Sequence, residues 1–229
     1  MPHFELLRRS SESSTEQQSN AVLRINDQAT GFPPVSFTLP NGTVLAGVSL
    51  HSIPLASEQP QEHTKTSVIL CLHGYLDNCH SFVPLLSQLS LDSQYQSTQV
   101  IALDFAGHGK SNHRSHDAHY HQSDYIQDIV ALIRQQGWDD VCLVGHSMGG
   151  IISCSVAAIL DDVVSQVLLI ETVGPLTDAA CNTVQQMRAS IDSRISAAQK
   201  TPKHPKSYEH VLHARMQVSQ LSLAHTDLI

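Results

Sequence analysis

The sequence predicts an α/β fold in which helices wind on both faces of a mostly parallel sheet. Three observations predict it. Four apolar runs of strand length, SVILCL (67–72), QVIALD (99–104), VCLVG (141–145) and QVLLIE (166–171), show no polar alternation, so both of their faces are covered. A Gly-containing or polar turn and then a longer segment follow each run, and strand and helix therefore alternate along the chain. The intervening segments carry helical spacing, clearest at 123–136, where Tyr125, Ile129, Leu132 and Ile133 share one face, and again at 148–160.

The elements follow in order. Residues 1–30 are read as a disordered, solvated tail: the opening MPHFELLRRSSESSTEQQSN has an Arg pair without an apolar run, and its glutamates argue against a transit peptide. The core is assigned to 31–176. It opens with two β-prone runs around Asn41-Gly42, a two-residue hairpin signal. The polar stretch 54–66 carries two prolines and reads as a surface connection. From Thr177 onward, Ala180, Val184, Met187, Ile191 and Ile195 fall on one helical face with Thr177 or Asp178 as N-cap, and a second helix is expected from Ser207 after a TPKHPK break. Residues 177–229 therefore form a separate helical unit. No internal repeat is found.

With 229 residues the chain suffices for one core domain and a small appendage. A net charge of −8 leaves no basic field for nucleic acid or an anionic membrane surface, although the 15 histidines gain charge as pH falls. No apolar run approaches membrane-spanning length, so a soluble protein is expected. The cysteine count is five, an odd number, and Cys71, Cys142 and Cys154 lie in apolar stretches; a reducing, cytoplasmic setting fits.

In an open parallel sheet, ligands gather at the carboxyl ends of strands, so the residues after each run are the ones to inspect. DFAGHGKS (104–111) ends in the GKS of a phosphate-binding loop, but the required first glycine is replaced by Asp104, whose carboxylate would repel phosphate. The nucleotide reading fails there. Asp104 instead closes a strand, Gly107 and Gly109 reverse the chain, Ser111 starts the next segment, and the turn shapes the rim of the crevice. GHSMG (145–149) matches GxSxG with a strand before and a helix after, the sharp turn that leaves a serine hydroxyl exposed; Ser147 is the nucleophile candidate. The competing reading makes Ser147 a mere helix cap. After 67–72, His73-Gly74 allows a turn that presents the N–H of Tyr75, which with that of Met148 forms a two-donor oxyanion hole. His73 and His146 are read as structural.

LHGYLDNCHSF, DFAGHGKS and GHSMGG, in this order and spacing, resemble the α/β-hydrolase superfamily, and IETVGPLT is similar to its serine hydrolase-like branch. The similarity covers roughly residues 35 to 225. It implies an α/β-hydrolase fold, a helical cap after the sixth strand, the hairpin as the first two strands, Glu171 at the end of the sixth, and a Ser, acid, His triad. The family places the acid and the histidine after strands that follow the cap. On that pattern the chain is expected to be truncated within a partial cap and to lack the last strands. His204, His210, His213 and His225 fall in cap segments, and Glu171, at a strand end near the crevice, could supply an acid, as some members of the family place one after the sixth strand. A Ser at this position argues against the branches that use an Asp nucleophile. The histidines of HRSHDAHYHQ, His113, His116, His119 and His121, are irregularly spaced and read as a solvated loop, not a metal site.

The sequence thus supports a serine hydrolase for a small acyl substrate, an ester or thioester, with no metal or organic cofactor. Its rival is a noncatalytic α/β-hydrolase-like chain that binds an apolar ligand or a partner protein.

Overall fold

The computed structural model describes residues 31–53, 67–115, 117–199 and 207–219. The expected tail at 1–30, the connection at 54–66, and His116, His204 and His225 lie outside the described residues. Six strands form one sheet: β1 (Pro34–Thr38), β2 (Val44–Ser49), β3 (Ser67–Leu72), β4 (Gln99–Leu103), β5 (Asp140–His146) and β6 (Val164–Ile170). Their order is β1-β2-β4-β3-β5-β6. The β1/β2 and β2/β4 pairs are antiparallel, and the remaining pairs are parallel. The described helices are α1 (Val83–Leu89), α2 (Gln122–Gln136), α3 (Met148–Ile159), α4 (Thr183–Ala198) and α5 (Tyr208–Ser219).

The apolar runs of β3, β4 and β5 are buried because the two faces of the sheet cover alternate residues, whereas β6, expected from its run to be covered on both faces, lies at the sheet's edge with Val167, Leu168 and Ile170 exposed. Val68, Leu70 and Leu72 of β3 join Ile101, Leu103, Leu143 and the inner faces of α2 and α3. Cys71, with Val100, Ala102 and Val144, packs on the opposite face against Phe82 and Leu86 of the α1 region. At roughly 25 cal/mol per Å² of apolar surface removed from water, such two-sided burial is the main driving force for the fold. Burial also pushes the Cys71 and Cys79 thiols far up, so both behave as small apolar groups.

The opening hairpin forms one residue away from the place its Asn41-Gly42 pair suggests. A two-residue loop centred on that pair would require an N–H from residue 40, and Pro40 has none. The Leu39 N–H closes the hairpin instead, donating to Thr43 O at 2.8 Å, while Gly42 N–H donates to Leu39 O and Gly42 takes φ 82°. The helix expected from Thr177 also starts later. Asp178 does not cap it: its carboxylate accepts from the Ala179 N–H, the Asn182 side chain and the Gln186 side chain, and a 3-10 turn at Ala180–Asn182 precedes α4. The apolar residues of α4 are nevertheless outward, with Val184, Met187, Ile191 and Ile195 between 44% and 67% exposed.

Chain direction across the sheet creates the crevice. From β3 the chain passes to β4 on one side and then crosses to β5 on the other, so the winding reverses around β3 and β5. Loops leaving the carboxyl ends of strands at such a reversal diverge and leave a cleft. The first turn of α3 sits directly over it. A Cβ on Gly149 would lie 2.0 Å from Leu72 O and 2.7 Å from His73 O, so only a glycine lets the helix approach that closely. Gly149→Ala is therefore expected to destabilise the fold by about 3 kcal/mol, because main-chain atoms must move. Urea unfolding followed by circular dichroism measures this as a lower midpoint.

Candidate functional site

Ser147 follows β5 directly and precedes α3. Its N–H continues the β5/β6 ladder by donating to Ile170 O at 2.9 Å. Its carbonyl already belongs to the helix, accepting from Gly150 N–H at 3.0 Å and Ile151 N–H at 3.2 Å. Strand and helix thus meet within a single residue, which takes φ 49° and ψ −113°. A capping serine ordinarily has extended dihedrals and bonds a free N–H of the first turn. Ser147 does neither, since its side chain makes no capping hydrogen bond and φ is positive. The cap reading of this serine therefore fails. A non-glycine residue in such a region costs about 1–3 kcal/mol that glycine would avoid. The residue is partly exposed, at the carboxyl end of β5. Met148 and Gly149 begin the helix, and their N–H groups lie at its positive end.

The facing wall is the loop after β3. His73 is fully buried and Gly74 is buried, whereas Tyr75 and Leu76 are exposed. The His73 ring has a fixed tautomer: Nε2 accepts from the Phe105 N–H at 3.0 Å, so Nδ1 carries the proton and donates to Gly74 O at 2.7 Å. The Asp77 N–H also approaches Gly74 O, at 3.3 Å. The Gly74–Tyr75 peptide is planar and trans, so a carbonyl held on one side directs the Tyr75 N–H to the other. Burial holds the His73 pKa down at about 4; the Gly74 hydrogen bond and Asp104 oppose the shift, and His108 and His146 reinforce it.

Asp104 ties the next loop to this one. The side chain is buried, with Oδ1 accepting from Cys79 N–H at 2.6 Å and Oδ2 from Lys110 N–H at 2.8 Å. Its carbonyl accepts from the Ser111 hydroxyl at 2.6 Å. It thus bonds its own turn and also reaches the one after β3.

His146 and Glu171 come together. The His146 ring lies against Gly74, where a Cβ would be 2.9 Å from Nδ1, and Nε2 is 3.2 Å from Glu171 Oε2. Glu171 follows β6 at φ 55° with its side chain 80% exposed. The pair spans the ends of three neighbouring strands. Of the histidines expected in a cap, His210 and His213 lie on exposed positions of α5. In the histidine-rich loop, His113 contacts the Tyr120 hydroxyl and His121 contacts Arg194 of α4, each at 3.3 Å. Among the described residues no group of three potential metal ligands occurs. Nor is any described helix long and apolar enough to cross a membrane.

Two features have no sequence signal. Leu76 takes φ 56°, an uncommon conformation for a branched residue. Arg215 of α5 reaches the same loop from 138 residues away, a separation at which no local pattern marks the pairing.

A family model described as the alpha/beta hydrolase fold matches residues 67–224. The chain is 30% identical to the serine hydrolase-like protein of Homo sapiens over 149 residues, 63% of this chain and 70% of that protein. With the serine hydrolase-like protein of Danio rerio it shares 32% identity over 127 residues, 56% of this chain and 37% of the relative. It spans less than half the length of several such relatives. Among solved structures, a hypothetical protein of Pseudomonas aeruginosa superposes with TM-score 0.70 at 30% identity, covering 85% of this chain and 63% of that one.

The buried His73 gives a stability prediction with a definite sign. Its folded pKa of about 4 lies below the ordinary 6.5, so the unfolded chain takes up the proton first as pH falls. Stability is lost between pH 6.5 and 4, by on the order of 3 kcal/mol in the limit. His73→Asn, less stable at pH 7, is expected to show a smaller further loss across that window in thermal melts.

Proposed function

This chain belongs to the α/β-hydrolase superfamily, in its serine hydrolase-like branch, and from that premise we propose that it cleaves an ester, thioester or related acyl bond with Ser147 as nucleophile. One observation carries the reading: Ser147 holds a positive φ at the β5/α3 junction without capping the helix. Strain of that kind is retained where a side chain must stand in one place, and the hydroxyl has no structural use that accounts for it.

In the proposed reaction, Ser147 Oγ adds to the acyl carbon and its proton passes to a general base, a role to which none of the described residues is assigned, and returns from it to the departing alkoxide or thiolate. The carbonyl oxygen becomes an oxyanion facing the N–H groups of Tyr75 and Met148. Collapse expels the leaving group and leaves an acyl-enzyme, and water then adds to release the acid and restore Ser147. Two features support the donor assignment: the Gly74 carbonyl is held by His73, and Met148 is the first helical residue. The His146–Glu171 pair is assigned a bracing role, since its imidazole is bonded towards β6. No metal or organic cofactor enters these steps.

A second reading, a noncatalytic binding chain, draws on the outer strand. Val167, Leu168 and Ile170 of β6 are 38% to 53% exposed, an apolar surface suited to a partner.

A fluorophosphonate probe separates the two. Wild type is expected to be labelled at Ser147, and Ser147→Ala to lose both labelling and ester hydrolysis, the latter by roughly a thousandfold or more. A folded wild type that resists the probe favours the binding chain.

A further inference from the structure

The loop that carries Tyr75 is gripped from two sides. On the core side, Gly74 O takes the His73 Nδ1–H at 2.7 Å. On the outer side, Arg215 of α5 extends its guanidinium over the turn, with Nη1 donating to Leu76 O at 2.9 Å and Nη2 to Asp77 Oδ1 at 2.8 Å. Asp77 Oδ1 also accepts the Asn78 N–H at 2.9 Å, which keeps the carboxylate in register with its own loop. The Asp77 side chain is 11% exposed and that of Arg215 30% exposed, so the pair is partly shielded and its hydrogen bonds are charge-assisted.

The grip falls on the strained residue. Leu76 has φ 56° and its side chain is exposed, so no packing of its own compensates a conformation that costs about 1–2 kcal/mol. A relaxed Leu76 would rotate the peptides on either side of it. The nearer of these is Tyr75–Leu76, which adjoins the peptide bearing the Tyr75 N–H. A planar, forked guanidinium is suited to opposing that relaxation, because it binds a carbonyl of the strained residue and the next side chain at once.

We propose that Arg215 is a positioning residue: by holding Leu76 O and Asp77 together it keeps the 73–77 turn in the conformation that aims the Tyr75 N–H into the crevice. Docking of α5 and completion of the oxyanion hole are then one event. When α5 lifts, the turn relaxes and the donor is lost, although Ser147 is untouched. This inference rests on the reading of the Tyr75 N–H as an oxyanion donor, and the test below separates the two.

The full chain is compared with Arg215→Ala and Arg215→Lys by two measurements. Hydrogen–deuterium exchange of peptides covering 73–78 reports the restraint whether or not the protein is an enzyme. Steady-state hydrolysis of p-nitrophenyl acetate, with fluorophosphonate labelling to count active Ser147, reports the consequence. Arg215→Ala is expected to raise exchange at 74–77 with unchanged overall melting. It should lower kcat by roughly tenfold to a hundredfold with little change in KM, somewhat less than the outright loss of one donor. Lysine keeps the charge but reaches one acceptor at a time, and so should fall between the two on both readouts. Unchanged exchange at 74–77 in Arg215→Ala overturns the proposal. Raised exchange with unchanged kcat also overturns it, since the turn then does not govern the donor. A wild type that neither hydrolyses nor labels, yet shows the Arg215-dependent exchange, overturns the catalytic reading and this proposal's consequence with it, while the restraint itself stands.

Discussion

The site depends on the seating of the first turn of α3 against the carboxyl end of β3. With main-chain oxygens of Leu72 and His73 so near Gly149, the helix can sit this close only because residue 149 has no side chain. The Ser147 N–H is fixed from the opposite side by Ile170 of β6. Between these constraints the chain must turn from strand to helix in one residue, and φ 49° is the geometry that does so. The sharp turn is thus a consequence of packing, permitted by glycines whose missing side chains let two backbones nearly touch, and a partly exposed serine occupies it where a glycine would be unstrained.

Two buried polar side chains then hold the loops around that serine. A buried carboxylate is tolerated when N–H groups surround it, and Asp104 has the Cys79 and Lys110 amides on its two oxygens. A buried imidazole is tolerated when it is neutral and both nitrogens are used, and His73 meets both conditions through Gly74 and Phe105. Each links segments from different strand ends. The crevice walls are therefore fixed by hydrogen bonds that water cannot easily replace, while the tips of the walls, Tyr75 and Leu76, stay exposed.

The two sides of the sheet differ. β1 shows outward Pro34, Ser36 and Thr38, a polar, proline-marked edge that discourages further pairing. β6 has no charged residue between Val164 and Ile170 and leaves much of its apolar surface open. The outward apolar face of α4 continues this character. Polar ties hold the outer helices, Arg194 to His121 from α4 and Arg215 to the 76–77 turn from α5. Such ties are individually modest, which suits elements whose position can change more readily than that of the core.

The sequence by itself determined the α/β architecture, because unbroken apolar runs followed by helical periodicity leave few other ways to bury both faces of a strand. It also located Ser147 and the His73-Gly74 turn, since each lies directly after such a run and depends only on neighbours a few residues away. Where a local signal met a local veto, the outcome was still readable in hindsight: Pro40 lacks the N–H that Asn41-Gly42 would need, so the hairpin shifted. Asp178 was drawn into bonds with Ala179, Asn182 and Gln186, which moved the start of α4. Tertiary structure alone decided the His146–Glu171 contact, the reach of Asp104 to Cys79, the left-handed Leu76 and the grip of Arg215 on it. These depend on which loops the sheet order brings together, and on strain that one segment imposes and a distant one restrains, neither of which has a period or a motif along the chain.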